Sequence, residues 1–351
     1  MKLALLKGNR FNPWHLRVFN HMPEDVKPVA FRAESEVQQR MAARGDGSVL
    51  MPIERIEFQA PVRGVVGRIA QSVRARTGAV RQHVLPFHDR LQGYDAILSW
   101  ELFTDWTQEA LEAKRKYDTP VALVVWDNIP FNHDDDETAK RIKARAVEEA
   151  DLFIVHTQRS RRTLHIEGVD DARIRVIPHG VDSEAFAPGT GDRSAFGLSG
   201  DDFVILFVGW LLPRKGIDFL LLALDELRRD PALKDVQFKL HAVGSGPGKD
   251  RVETLIARLG LNDGVRFTDG LPYDRMVEAY RAADAFVLPS IATDTWQEQF
   301  GMALLEAKST GLPCVSTYSG SIPEILGGAG VLCQPNDFVS LYDALRDLAL
   351  N

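Results

Sequence analysis

The sequence predicts an α/β protein made of two Rossmann-like domains facing across a cleft. Three observations lead there. Short apolar runs alternate with helical patterns along most of the chain. A length of 351 residues is too great for one typical core and suits two. One long loop, His179 to Asp202, is rich in Gly, Pro, Ser and Asp, and a new strand starts directly after it.

The apolar runs read as buried strands in this order: Lys2–Lys7, Ala96–Trp100, Val121–Trp126, Leu152–Val155, Ile174–Ile177, Phe203–Val208, Phe238–Ala242, Val265–Phe267, Ala285–Leu288 and Cys314–Thr317. Each is followed by a turn or helix signal, the alternation of βαβ units and parallel sheets. Such sheets bind ligands beyond the C-terminal ends of their strands. The loop places the boundary so that residues 1–184 form the first domain and 185–351 the second. No internal repeat or low-complexity tract is evident.

An apolar fraction of 45% and a charged fraction of 26% are those of a soluble globular protein. The net charge of −7 gives no general affinity for nucleic acid. The two cysteines, Cys314 and Cys333, stand in apolar runs without metal-ligand spacing and fit a reduced, cytoplasmic setting. There is no apolar run of membrane-spanning length and no signal peptide after Met1.

Two stretches carry chemistry. In FVGWLLPRKGIDFLLLAL a strand ends at Gly209, a loop bears Trp210, Arg214 and Lys215, and a helix begins near Gly216. A helix start beside two cations is suited to an anion; the alternative is a surface loop with solvated charges. In QEQFGMALLEAKSTGLPCVS a helix is expected from near Phe300, with Gly301 allowing close backbone approach. The amides of Gly301 and Met302 then point out of the helix end. Glu298, Met302 and Glu306 follow an i, i+4, i+8 spacing and share one face if the helix extends back that far. Glu306 sits in an apolar context, where an ionised carboxylate needs partners: ligand hydroxyls, or a neighbouring Lys or Arg. The run Asp134-Asp135-Asp136 reads as a helix N-terminus rather than a metal site.

These residues carry a resemblance. The pattern Glu298-x7-Glu306 with Phe300-Gly301 and Gly311-x-Pro313 is similar to the donor-site signature of the family-4 retaining glycosyltransferases of the GT-B fold. VGWLLPRKGIDFLL resembles that family's phosphate loop, and IPHGVD (Ile177 to Asp182) its interdomain segment. VGSGP (Val243 to Pro247) and GSIPEIL (Gly320 to Leu326) fit as well. The match runs in order over residues 150–340.

The resemblance implies roles. Lys215 and Arg214 would hold a nucleotide diphosphate. Glu306 would take the ribose hydroxyls and Glu298 the hydroxyls of the donor sugar. The amides of Phe300, Gly301 and Met302 would lie near sugar and phosphates, with Gly209, Trp210 and Gly244 around them. The base would lie against Asp269-Gly270-Leu271. Gly8 and Arg10 after the first strand, and Trp126, Asp127 and His156, are the acceptor-side candidates. No metal and no cofactor are expected, since fixed cations and helix amides can stabilise the leaving diphosphate.

The sequence also departs from the family pattern. Trp210 stands where many relatives have Arg, and Trp126 where many have a His. The chain stops at Asn351, soon after VSLYDALRDLAL, so a truncated or short C-terminal cap is open.

The implied partners are a nucleotide-sugar donor and a glycan, lipid or small-molecule acceptor, in polysaccharide biosynthesis or a related reaction. Residues 60–85 carry five arginines and no acid on a helical apolar stripe, which suits peripheral contact with an anionic inner membrane surface or an acidic acceptor. An ordinary solvated helix face is the alternative there. A nucleotide-sugar epimerase or hydrolase of the same fold, or a non-catalytic nucleotide-sugar-binding protein, is the alternative for the whole chain. A nicotinamide dehydrogenase is disfavoured, because no G-x-G-x-x-G follows an early strand.

Overall fold

The computed structural model describes residues 1–8, 13–33, 51–56 and 84–350. Arg10 and residues 60–83 of the basic segment lie outside the described residues.

Contacts divide the chain into two units, Met1–Val155 with Ser160–Ile177, and His156–Arg159 with Pro178–Asn351. The expected boundary at 184/185 therefore falls seven residues late. Val181 and Phe186 already pack on the second unit's core, which draws this part of the loop to that side.

The first unit holds a parallel sheet in the order β3-β2-β1-β4-β5-β6-β7. Its strands are β1 (Lys2–Leu6), β2 (Lys27–Ala33), β3 (Ile53–Ile56), β4 (Ala96–Trp100), β5 (Val121–Val125), β6 (Leu152–Val155) and β7 (Ile174–Val176). The central strands are apolar on both faces, as parallel strands covered on two sides must be. Helices α1 (Asp105–Tyr117), α2 (Glu137–Glu149) and α3 (Gln158–Ile166) connect them. Thr104 caps α1 by accepting from the Thr107 amide. Asp136 caps α2 by accepting from the amides of Thr138 and Ala139, and Asp134 pairs with Lys143. The acidic run is thus a helix start, as its setting suggested.

The second unit holds a parallel sheet in the order β10-β9-β8-β11-β12-β13. Its strands are β8 (Asp202–Val208), β9 (Gln237–Val243), β10 (Val265–Thr268), β11 (Ala285–Leu288), β12 (Cys314–Thr317) and β13 (Val331–Cys333). Helices α4 (Ile217–Arg229), α5 (Lys249–Leu259), α6 (Tyr273–Arg281), α7 (Met302–Ser309), α8 (Ile322–Leu326) and α9 (Phe338–Leu350) complete it. Two cores, one per sheet face, are built on Ile205, Phe207 and Leu240 and on Leu206, Phe286 and Leu288. Alternate residues of β8 point to opposite faces, so a single strand feeds both cores.

All ten expected strands are present, and three more are not in the sequence reading: β2, β3 and β13. In each sheet the strand order reverses beside the first strand of the unit, between β1 and β4 and between β8 and β11. Loops diverge there and leave a crevice at the C-terminal strand ends.

Candidate functional site

The second unit's reversal point gathers most of the expected donor residues. β8 ends at Val208 and its loop runs through Gly209 and Trp210 to a tight 3-10 turn, Pro213–Lys215. That turn presents Arg214 and Lys215 just before α4. β11 ends at Leu288, and its loop carries Ser290, Trp296 and Glu298 to the start of α7. The Ile291 amide donates to the Arg214 carbonyl at 2.9 Å, which ties one loop to the other.

Across this junction Lys215 Nζ stands 2.7 Å from Glu298 Oε2. Ser290 Oγ donates to the same carboxylate oxygen at 2.7 Å. Both side chains of the ion pair are largely withdrawn from water, at 16% and 8% exposure. Burial of this kind is tolerated because each charge has a partner.

Glu298 is not on the helix. α7 begins at Met302, with Gly301 as its N-cap in the left-handed region (φ +88°). The i, i+4, i+8 stripe is therefore corrected: only Met302 and Glu306 share the helix. A different device fixes Glu298. The Ser321 amide donates to its carbonyl at 2.8 Å, and Ser319 Oγ accepts from its amide at 3.4 Å. Gly320 lies so close that a Cβ there would stand 2.0 Å from the Glu298 carbonyl oxygen. The GSIPEIL stretch thus acts as a backbone mould for Glu298.

Glu306 lies one turn inside α7 and is 6% exposed. Its partner is neither Lys nor Arg. Tyr280 Oη, from α6, donates to its Oε2 at 2.7 Å. Burial raises its pKa above the usual carboxylate range, while hydrogen bonds from Tyr280 and Tyr273 pull it back down.

The remaining donor candidates surround these. A Cβ on Gly244 would stand 2.0 Å from the Gly209 carbonyl oxygen, so glycine lets the β8 and β9 ends approach closely. Trp210 is 60% exposed. Phe300 is buried and meets the His179 ring edge-on at 5.0 Å. Asp269 forms an exposed ion pair with Lys249 at 3.0 Å, and Leu271 packs on the core behind it.

Of the acceptor-side candidates, Gly8, Trp126 and Asp127 belong to the first unit and stand at its reversal point or on the neighbouring strand end. Trp126 and Asp127 meet at Glu101, which the sequence reading missed. The Trp126 amide donates to Glu101 Oε1 at 3.1 Å and the Asp127 amide to Oε2 at 3.4 Å. Glu101 itself has φ +66°, an unusual backbone for a side chain of this size. Lys7 Nζ lies 4.3 Å from the Trp100 ring centre and 5.7 Å from that of Trp126. Burial lowers the Lys7 pKa to about 7, and burial with the nearby Asp127 raises that of Glu101 to about 8. His156 is placed differently. Its contacts put it in the second unit, with its ring 3.7 Å from that of His179.

The structure also brings in Trp296, Tyr280 and Ser290, which the sequence reading did not single out. The only signal for Trp296 was an aromatic residue two positions before a motif acid. Among the described residues no group of three or more His, Cys, Asp or Glu is placed to hold a metal ion. No helix among them is long and apolar enough to cross a membrane.

Comparison with known proteins agrees with this layout. Residues 190–351 match the family described as Glycosyl transferases group 1, and residues 39–185 match Glycosyltransferase Family 4. A D-inositol 3-phosphate glycosyltransferase from Geodermatophilus obscurus is 37% identical over 213 residues, 58% of this chain and 46% of that protein. Its counterpart from Mycolicibacterium smegmatis is 32% identical over 212 residues, with 58% and 46% covered. The aligned region spans less than half the length of these curated relatives. Among solved structures, Anabaena Alr3699/HepE in complex with UDP superposes with a TM-score of 0.75 at 20% identity, covering 99% of this chain and 89% of that one. Sucrose-phosphate synthase from Thermosynechococcus elongatus gives a TM-score of 0.71 at 18% identity, covering 100% and 90%. At such identities the structural likeness speaks for the fold.

Proposed function

The chain belongs to the family-4 glycosyltransferases of the GT-B fold, and from that membership we propose that it moves a sugar from a nucleotide-diphosphate sugar to an acceptor hydroxyl. The observation that carries the reading is the Lys215–Glu298 pair at the second unit's reversal point, beside the N-terminus of α7. Lys215 and Arg214 bind the diphosphate and stabilise the charge that grows on it as the glycosidic bond breaks. The first-turn amides of α7 add a fixed positive potential at the same place. Glu298 orients the donor sugar through its hydroxyls. Glu306, held by Tyr280, accepts from the ribose.

The transfer retains the anomeric configuration and needs no metal. The acceptor oxygen bonds to the anomeric carbon on the face the phosphate leaves, and the departing phosphate oxygen takes the acceptor's proton. No enzyme nucleophile is required. The Anabaena protein of the same fold was solved in complex with UDP and with UDP-glucose, which makes a uridine nucleotide the first to try. The acceptor is a hydroxyl compound such as a polyol phosphate, a glycan or a lipid. The first of these is suggested by the names of the curated relatives.

The test is incubation with UDP-glucose, UDP-GlcNAc and GDP-mannose against a panel of such acceptors, with EDTA present. Proton NMR of the first-formed glycoside reads its configuration. Retention in EDTA supports the proposal. An inverted product, or diphosphate release that ignores the acceptor, overturns it; the second outcome points to a hydrolase or epimerase.

A further inference from the structure

We infer that Trp296 is a positioning residue for diphosphate recognition: its indole holds Arg214 where the phosphate loop's missing arginine would act. The inference deepens the donor-site reading above and rests on it.

Position 210, directly after the loop glycine, carries an exposed tryptophan and supplies no charge. The loop's second cation must then come from Arg214. An arginine on a short surface turn has many rotamers, and ordering it on binding costs affinity. The fold answers this from the other loop. The Ile291 amide bonds to the Arg214 carbonyl at 2.9 Å. Two residues further on, the chain doubles back in a tight turn: the Thr293 amide donates to the Trp296 carbonyl at 2.7 Å, closing an isolated antiparallel bridge. That turn returns the indole over the phosphate loop. Arg214 Cζ lies 4.0 Å from the Trp296 ring centre, and Lys215 Nζ lies 5.1 Å from it.

A guanidinium stacked on an aromatic face uses its flat side. Its N–H donors lie in its plane, so stacking and oxyanion binding are compatible. Lys215 has a further anchor in Glu298. Two cations on adjacent residues also repel, and the negative face of one indole lowers that repulsion. The ligand class is a nucleoside diphosphate, recognised through its phosphates and not its base.

The experiment is calorimetric titration of the purified full chain with UDP, GDP and ADP, and with UMP, GMP and AMP. The variants are Trp296→Ala, Trp296→Phe, Arg214→Ala and the double variant Trp296→Ala/Arg214→Ala. Trp296→Ala should weaken the best diphosphate about 5- to 10-fold, from loss of a cation–π contact and of preorganisation. Trp296→Phe, which keeps an aromatic face, should stay within about 2-fold. In the Arg214→Ala background, Trp296→Ala should cost little more, because the indole acts through that arginine. Monophosphate binding should change less than diphosphate binding. A Trp296→Ala loss that persists undiminished without Arg214 would show a general loop distortion and overturn the inference. So would equal affinities of wild type and Trp296→Ala. If the wild type binds none of the three diphosphates, the donor-site reading itself falls, and this inference with it.

Discussion

Lys215 and Glu298 face each other at 2.7 Å although 83 positions separate them. One follows β8 and the other follows β11, the two strands between which the second sheet reverses its order. Each therefore reaches the crevice that such a reversal opens. The pair joins the loop expected to hold phosphate to the loop expected to hold sugar, so its disruption should be felt in both stability and binding.

Lys215→Ala removes the cation from a buried Glu298, whose Oε2 still accepts from the Ser290 hydroxyl. Breaking a buried pair from one side costs about 3 kcal/mol. Adding Glu298→Gln should restore part of that in chemical denaturation, since the stranded charge is gone. Turnover with the sugar donor should fall about 100-fold in Lys215→Ala, the usual cost of one preorganised electrostatic contact. Equal stability of wild type and Lys215→Ala would show the pair to be loosely solvated.

Tyr280→Phe removes the hydroxyl that donates to Glu306. Hydrogen bonds to charged groups are worth about 1.5–3 kcal/mol, so stability should fall by about that amount. Nucleotide affinity should fall as well, though less than in Glu306→Ala. Burial already raises the Glu306 pKa, and the tyrosine opposes that rise. Removing it should shift the acid limb of nucleotide binding to higher pH. Titrations from pH 5 to 8 would read the limb; an unmoved limb would place the tyrosine outside the binding equilibrium.

Glu101 and Lys7 should leave a mark on stability against pH. The folded pKa of Glu101 is raised to about 8 by burial, so the folded state holds a proton that the unfolded chain releases above its ordinary value near 4.5. Its contribution is complete below that value and is lost as pH rises through about 8. Lys7, lowered to about 7 from 10.5, works in reverse: its contribution is complete above 10.5 and is lost as pH falls through about 7. Glu101→Gln should flatten the decline between pH 5 and 8 by about 1–3 kcal/mol, given about 1.4 kcal/mol per pKa unit and partial water access. Urea unfolding at four pH values is the measurement, and parallel curves for variant and wild type would contradict it.

Gly320→Ala should damage the site from behind. The new Cβ would stand 2.0 Å from the Glu298 carbonyl oxygen, at a backbone φ of +55°. Strain and displacement together should cost about 2–4 kcal/mol. Gly328→Ala is the control: its φ is +80° but no atom lies within 4 Å of the added methyl. It should cost only about 1–2 kcal/mol, the backbone strain alone. Donor binding should weaken in the first variant and persist in the second.

Much of this arrangement was legible in the sequence. A parallel strand buried on both faces must be a short apolar run, so β1, β4, β5, β6 and the core strands of the second unit announce themselves. The helix start at Asp136 was legible because capping is local chemistry. The strands that escaped notice are of another kind. β3 and β13 are edge strands, and β2, KPVAFRA, interrupts its apolar residues with Pro28 and Arg32. Edge and near-edge strands need less apolar surface, so their periodicity is weak.

The sequence by itself determined the two parallel sheets and the helix starts at their mouths, because each follows from a local pattern of burial, turn or capping; the motifs expected to bind the donor were legible as a family resemblance. Tertiary structure decided who meets whom. It took Glu298 off the helix and set it against Lys215, gave Glu306 a tyrosine in place of a cation, moved His156 to the second unit and laid Trp296 over Arg214. These partners come from loops far apart along the chain. Strand order and the close approach of glycine backbones bring those loops together, and neither leaves a periodic trace in the sequence.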